Sequence, residues 1–263
     1  MKKAWVICRK EIREIFRSKY ILSTFFLPIV IFGIVMPMLL TVLPGAFPGR
    51  GKANFPPGFE KILPDYCQTD RQRLVYFAAF FFTGPLLLMV PLMTPTFIAA
   101  DSFSGEKERK TIEPLLATPT SDLELFLGKV LTAFIPSIIV SFLTFLTATI
   151  ILGVASIQVF GWIIFPDLTY LLMMVVTAPL ATILSIGFMV LVSARVANVR
   201  DAAQFGGILV LPVMLLLFGQ IFTLFMINVF SVLAITVVFA LVDVLLIRAA
   251  SSSFGRENIL MKL

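Results

Sequence analysis

The residues most able to do chemistry are concentrated in one polar segment, DSFSGEKERKTIEPLLATPTSDLELFLGK, at 101–129. This segment holds ten of the 36 charged residues, and the sequence on both sides of it is almost purely apolar. Pro114 suits a first helical position and Pro119 ends a helix, so a short helix carrying Leu115 and Leu116 is expected between them. Two exposed leucines on a short helix suit docking to another protein. The alternative is a solvated loop whose leucines lie against a bilayer.

Catalysis by the chain itself has little support in its sequence. There is no histidine, and neither G-x-S-x-G, H-E-x-x-H nor the phosphate loop G-x-x-x-x-G-K-[ST] occurs. Cys8 and Cys67 lie on either side of the first apolar run, so we expect no disulfide between them. We predict a chain that is not an enzyme, binds no metal or cofactor, and draws any ATP energy from a partner.

The elements that position the polar segment are predicted to be membrane-spanning helices. The chain is 59% hydrophobic and 14% charged, whereas soluble domains carry about 25% charged residues. Crossing a bilayer takes about 20 apolar residues. Six runs satisfy this, at 20–43, 74–99, 130–152, 168–193, 204–222 and 227–247. We therefore predict an all-α membrane protein with one transmembrane domain, although the last two runs could instead form a re-entrant hairpin.

Local signals refine these helices. Ser121 followed by Glu124 predicts a capping box at the start of the helix that leads into the third run. Prolines inside the runs predict local disturbance of the helices, because proline removes a backbone donor. They are Pro28, Pro37, Pro85, Pro91, Pro95, Pro136, Pro179 and Pro212.

The orientation follows from the basic residues. Sixteen Lys and Arg residues fall on the side of the two termini and segment 101–129, and five fall in the loop 44–73. Because cytoplasmic loops carry the excess of basic residues, both termini and segment 101–129 are predicted to be cytoplasmic. The net charge of +6 then reflects contact with anionic headgroups of the cell membrane and not binding of nucleic acid.

The first 19 residues predict an amphipathic helix lying on the membrane surface. Its apolar stripe is Trp5, Cys8, Ile12, Ile15 and Phe16, and a basic ridge repeats every four residues at Arg9, Arg13 and Arg17. In such a helix, Trp5 and Phe16 point toward the lipid and the arginines toward phosphates. The alternative is that these are ordinary basic residues ahead of a first span.

Asp243 is the one acidic residue that we place inside an apolar run. Intramembrane carboxylates are candidates for function, so Asp243 is a possible intramembrane polar site. The alternative is a position near the interface, where it would pair with Arg248 five residues later.

The polar segment, read as ADSFSGEKERKTIEPLLATPTSDLELFLGK, resembles the cytoplasmic loop of ABC-2-type permeases, the membrane subunits of ATP-binding cassette exporters. Lys110 departs from the family, which often has Gly there, and Pro114 is similar to the sodium-efflux-type branch. FGRENIL at 254–260, in the predicted cytoplasmic tail 248–263, resembles the family's ending. The matching positions of the segment are Glu106, Glu108, Arg109, Thr111, Ile112, Glu113, Leu115, Leu116, Thr118, Pro119, Glu124, Gly128 and Lys129.

The resemblance implies that a short coupling helix between spans two and three docks on a separate ABC ATPase subunit, which holds ATP and Mg. The implied docking residues are Glu106, Glu108, Arg109, Thr111, Glu113, Leu115, Leu116, Thr118 and Pro119. It also implies export and a second permease chain, either identical or related. The 27 Phe and 11 Met residues suit a lipid- or drug-like cargo, whereas Pro114 suggests sodium. A stand-alone channel or ion-coupled transporter remains the alternative, and it would need neither ATP nor a second polypeptide.

Overall fold

The computed structural model describes residues 2–17, 19–46, 63–109, 120–196, 198–221 and 229–253, and this part of the chain is built from seven helices without a strand. The first, α1, is short, and the other six form a bundle. Their bounds are Lys2–Ile15 for α1, 19–46 for α2, Asp70–Glu108 for α3, Asp122–Phe160 for α4, Leu168–Ser193 for α5, 199–221 for α6 and Val229–Ser253 for α7.

The six helices α2 to α7 are each long and apolar enough to cross a membrane. This confirms the predicted fold class, and residues 204–248 supply two such helices in α6 and α7. The lipid-surface position of α1 stays a prediction, and the short helix expected at 114–118 lies outside the described residues. The helices α3 and α4 have 39 residues each, about 58 Å at a rise of about 1.5 Å per residue. A hydrocarbon core is about 30 Å thick, so both helices are longer than a single crossing requires. They also extend well beyond the predicted runs 74–99 and 130–152.

Three helices contain a π-helical segment, and each segment adjoins a proline. Proline has no N–H, so a carbonyl one turn earlier loses its donor, and a wider turn lets it bond to the next N–H. This is the local form of the disturbance that the prolines predict. The segments are Ile29–Val35, Ala78–Thr83 and Met173–Thr177, and they end two residues before Pro37, Pro85 and Pro179 respectively.

The helix α3 forms the centre of the bundle. It packs most extensively on α4, α5 and α6, and 65% of its most apolar stretch is buried, against 17% for α7. The helix α7 runs parallel to α5: Thr177 and Thr236 share a hydrogen bond of 2.8 Å, and Gly187 contacts Leu246 with the same offset along the chain. The peripheral helices α2, α6 and α7 therefore present large apolar side chains outward.

Helix ends follow recognisable capping chemistry. The Ser121 hydroxyl accepts a hydrogen bond of 3.2 Å from the Glu124 N–H, which confirms the start of α4 predicted from the capping box. The helix α4 ends at Gly161, whose φ of +81° is a left-handed conformation that glycine adopts without strain. The helix α5 begins after Asp167, whose carboxylate accepts from the Tyr170 N–H at 3.0 Å.

Candidate functional site

Five helices meet at the end of the bundle where α3 stops and α4 starts. These two helix ends flank residues 110–119, which lie outside the described residues, and they contact α1, the end of α5 and the start of α6. Hydrogen bonds and ion pairs between side chains and backbone groups join the five helices here. We call these side chains the hub, which consists of Glu11, Ser102, Glu106, Lys107, Glu108 and Lys129.

Lys129 lies at the centre of the hub, in the second turn of α4, and only 1% of the residue is exposed. Its ammonium is 2.6 Å from the Glu106 carboxylate on α3 and 3.7 Å from the Glu11 carboxylate on α1. It also donates to the backbone carbonyl of Ser102 and lies 5.4 Å above the ring of Phe103. A buried ammonium is tolerated only when it is paired and hydrogen-bonded, and both conditions are met here.

Glu11 brings α1 into the same network. It faces the bundle with 9% of the residue exposed, and its second oxygen accepts a hydrogen bond of 2.7 Å from the Ser102 hydroxyl. Two carboxylates therefore share one ammonium, and the three charged groups come from three different helices. The contact joins α1 to α3 as well as to α4.

Lys107 and Glu108, which follow Glu106 on α3, also bond to other helices. The Lys107 ammonium donates at 2.8 Å to the carbonyl of Ser193, the last residue of α5, where helices leave carbonyls without an internal donor. The Glu108 carboxylate accepts at 2.9 Å from the N–H of Val199, the first residue of α6. At that helix start the Asn198 side chain makes no capping bond. Residues 106–108 therefore bond in sequence to α4, α5 and α6.

The inner face of α1 packs closely on α4. Ala4, Cys8 and Ile15 are buried there with Glu11, and a Cβ placed on Gly128 of α4 would lie 3.0 Å from the Ala4 carbonyl oxygen. Burial raises the pKa of the Cys8 thiol, although a hydrogen bond with Thr132 acts in the opposite direction. The glycine permits this close approach.

All five residues predicted to meet the membrane surface are exposed: Trp5, Arg9 and Arg13 on the outer side of α1, and Phe16 and Arg17 in the turn that follows it. The predicted apolar stripe is thus divided between two faces. Cys8 and Ile15 contact the protein, whereas Trp5 and Phe16 are 56% and 57% exposed. The helix has a protein-facing side, an exposed apolar edge and a basic ridge.

Three of the predicted docking residues are described, and each has a contact within the chain. Glu106 and Glu108 belong to the hub, and Arg109 forms an exposed ion pair of 2.6 Å with Asp101. The other six, Thr111, Glu113, Leu115, Leu116, Thr118 and Pro119, lie outside the described residues. Sequence reasoning missed the roles of Glu11, Ser102 and Lys107. The one available signal was a lysine, Lys129, at the start of a long apolar run.

A cavity of about 520 Å³ opens beside the hub, between α3 and α6. Phe97 and Ala203 supply apolar walls, and Asp101, Glu108 and Arg200 supply charged groups. The cavity therefore shares Glu108 with the hub, and a shift of α6 relative to α3 changes its shape.

Asp243 lies on α7 with 4% of the residue exposed. Neither carboxylate oxygen has a hydrogen-bond partner within the described part of the chain, so the pairing with Arg248 considered above is not formed there. The structure keeps Asp243 apart from the hub. Nor do the described residues place three His, Cys, Asp or Glu side chains together as a metal site.

Comparison with known proteins supplies the family. No curated protein matches the chain. A family model described as ABC-2 family transporter protein matches residues 5–247, a range that includes the hub, the helices α2 to α6 and most of α7. The match gives the family and not a branch, so the sodium-efflux-type resemblance at Pro114 stays a prediction. With its six apolar helices and this match over nearly its whole length, the chain belongs to the ABC-2 family of transporter proteins, multi-pass membrane proteins that serve as the permeases of ABC transporters.

Proposed function

We propose that this chain is the permease subunit of an ATP-binding cassette exporter, which moves its substrate out of the cytoplasm with ATP hydrolysed by a separate ATPase subunit. Family membership supports the transport role. The observation that carries the proposal is the hub, in which Glu106, Lys107 and Glu108 bond to three different helices immediately before residues 110–119.

This arrangement suits the transmission of movement. A pull on residues 110–119 acts on the start of α4 and on the end of α3, the central helix of the bundle. Because Glu106, Lys107 and Glu108 connect that end to α4, α5 and α6, the displacement reaches several helices at once. Without these bonds, the backbone of the segment would act directly on α3 and α4 only.

The docking element itself is assigned to Leu115 and Leu116. Burial of two leucines in a groove supplies more affinity than exposed charges at the rim, which mainly set register. Glu106 is held by buried Lys129 and Glu108 by the start of α6, whereas the pair of Arg109 with Asp101 is exposed. We therefore assign Arg109 and Glu113 to the rim. ATP and Mg belong to the partner ATPase in this proposal, and a second permease chain, identical or related, completes the transporter.

The exposed side of α1 fits contact with the cytoplasmic leaflet. Arg9, Arg13 and Arg17 form its basic ridge, and Trp5 and Phe16 form the apolar edge beside it. Basic residues near anionic headgroups and aromatic residues at the acyl boundary are typical of interfacial helices. In this proposal the hub lies just below the membrane surface on the ATPase side.

Co-purification tests the docking assignment. The tagged chain is expressed together with candidate ABC ATPases, or is purified from its native membrane with the ATPase that it retains. Replacing Leu115 and Leu116 by Asp should abolish recovery of the ATPase. Leu123→Asp is the matched control, because Leu123 is 67% exposed at the start of α4 and lies outside the docking motif. Undiminished recovery with the double variant refutes the assignment.

Transport in inside-out vesicles tests the function and the cargo. Uptake of a lipophilic cation dye, a fluorescent phospholipid or radioactive sodium is measured with and without ATP. Uptake that requires both ATP and the ATPase supports the exporter, and the accumulated probe indicates the cargo class. Uptake without either supports the stand-alone transporter, for which the buried carboxylate of Asp243 is the candidate ion-coupling group.

A further inference from the structure

Lys129 has two carboxylate partners at unequal distances. Its ammonium forms a short contact of 2.6 Å with Glu106 and a longer one of 3.7 Å with Glu11. A charged hydrogen bond is shorter than about 3 Å, so the Glu106 contact is a full hydrogen bond and the Glu11 contact is an ion pair without one. The ammonium is thus hydrogen-bonded to the Glu106 carboxylate, and the Glu11 carboxylate is only 1.1 Å farther from it.

The two carboxylates sit on helices that are attached differently to Lys129. Glu11 is on α1, which packs directly on α4 where Gly128 meets Ala4, so Glu11 stays beside Lys129 whenever α1 stays on α4. Glu106 is on α3, together with Ser102, whose carbonyl also accepts from Lys129. If the end of α3 moves away from α4, Lys129 loses both of these contacts at once.

That separation would normally be costly. An ammonium left buried without a partner is strongly disfavoured, because it has lost its hydration without gaining a counter-charge. Here the same movement frees Glu11 from Ser102, whose hydroxyl holds its other oxygen. The carboxylate and the ammonium that are released are already neighbours, and each becomes the partner of the other.

We propose that Lys129 is an ion-pair switch, bound to Glu106 when the ends of α3 and α4 are together and to Glu11 when they separate. The switch keeps the ammonium paired in both conformations and keeps α1 with α4 while α3 moves. This inference rests on the proposed function to the extent that a pull on residues 110–119 supplies the movement. Lys129 acts here as a positioning residue for coupling.

A switch and a static clamp make opposite predictions for two single-residue changes. Glu106→Gln removes the charge partner of the joined conformation only, so it should favour separation. Glu11→Gln removes the partner of the separated conformation, so it should favour the joined one. In a static clamp both carboxylates hold the same conformation, and both changes should loosen it.

The test uses pairs of spin labels on the full chain in lipid nanodiscs, without an ATPase. Labels at Arg109→Cys and Leu123→Cys report the distance between α3 and α4, and labels at Arg13→Cys and Leu123→Cys report that between α1 and α4. The native cysteines are replaced by serine, and labelled chains are diluted with unlabelled chains so that distances within one chain dominate. Pulsed electron paramagnetic resonance gives the distance distributions.

We expect Glu106→Gln to raise the ratio of the longer to the shorter α3–α4 distance about tenfold, the effect of losing one charged hydrogen bond. Adding Glu11→Gln to that variant should reverse most of the increase. The α1–α4 distance should stay unchanged in Glu106→Gln. Ser102→Ala, a second variant that weakens the hold of α3 on Glu11, should shift the ratio in the same direction as Glu106→Gln by a smaller factor.

Three results would overturn the switch. They are a further lengthening when Glu11→Gln is added, a lengthening of the α1–α4 distance in Glu106→Gln, and unchanged distances in both Glu106→Gln and Ser102→Ala. Glu14→Gln is the matched control, because its ion pair of 3.5 Å with Lys10 is exposed. Since no ATPase is present, these outcomes are independent of the co-purification result. A chain that binds no ATPase can still show the switch.

Discussion

The carboxylate of Glu108 accepts a hydrogen bond of 2.9 Å from the backbone N–H of Val199, 91 residues away. A helix start carries a partial positive charge and N–H groups without internal acceptors. In α6 the group that satisfies one of them comes from another helix. The bond therefore both stabilises the start of α6 and fixes it to the end of α3.

Glu108→Ala should lower the free energy of unfolding by about 1 kcal/mol, the usual effect of losing a helix cap. Thermal unfolding of the purified protein in detergent measures it. Arg109→Ala is the control, because its exposed pair with Asp101 should contribute less than about 1 kcal/mol. Equal losses in the two variants would show that Glu108 has no capping role.

Lys129→Met should be far more destabilising, by about 3 to 5 kcal/mol, because removing one partner of a buried ion pair leaves the other uncompensated. Two carboxylates, Glu11 and Glu106, lose their shared cation. The loss of stability is measured as the temperature above which the heated protein no longer gives a monodisperse peak in gel filtration. Lys10→Met, which removes only an exposed pair with Glu14, should behave like the wild type, and similar curves for both variants would contradict a buried role for Lys129.

Gly128→Ala should weaken the attachment of α1 to α4, because the added methyl group would lie 3.0 Å from the Ala4 carbonyl oxygen and 3.1 Å from Ile7. Overpacking of this kind costs about 1 to 3 kcal/mol. Limited proteolysis of α1 is the measurement, and faster cleavage is expected. Gly153→Ala on the same helix, with its nearest contact at 3.6 Å, is the matched control and should leave the cleavage rate unchanged.

The sequence predicted the spanning helices well, because runs of apolar residues near the thickness of a bilayer have few other folded forms. The run 168–193 coincides with α5, and Ser121 marked the start of α4 correctly. The C-terminal ends of α3 and α4, at Glu108 and Phe160, were missed because their last turns are polar or mixed and are held by tertiary contacts. Hydropathy does not register such contacts.

The candidate site was predictable only in its location. Charged residues before 110–119 pointed to this end of the bundle, but their partners are remote in sequence: Glu11 and Ser102 are 91 residues apart, as are Glu108 and Val199. Pairings at such separations depend on how helices pack, and the periodicity of a single helix carries no information about them. The resemblance implied a docking role for Glu106, whereas within the chain its carboxylate is held by buried Lys129.

Cys8 should react slowly with maleimide in the folded protein. It is fully buried on the inner face of α1, and burial raises the pKa of its thiol, so less thiolate is present at pH 8 than for an ordinary cysteine. Val6→Cys in a Cys8→Ser background, at a position 67% exposed, should react rapidly. Equal rates would show that α1 does not remain packed on α4 in solution.

Labelling from one side of the membrane tests the predicted orientation. A membrane-impermeant maleimide should modify Trp162→Cys, in the connection between α4 and α5, in intact cells. It should reach Val6→Cys on α1 only after permeabilisation. Both positions are more than half exposed, so access to the reagent depends on the side of the membrane. The reverse pattern would place the hub outside the cell and refute the exporter proposal.

The central position of α3 also bears on how proteins of this kind can diversify. A residue on α3 touches several neighbours, so an accepted substitution there needs compensating changes elsewhere, whereas α7 is mostly free of such constraints. Substitutions are therefore expected to accumulate more readily on the outward-facing side of α7 than on α3, whose packing ties each residue to several helices.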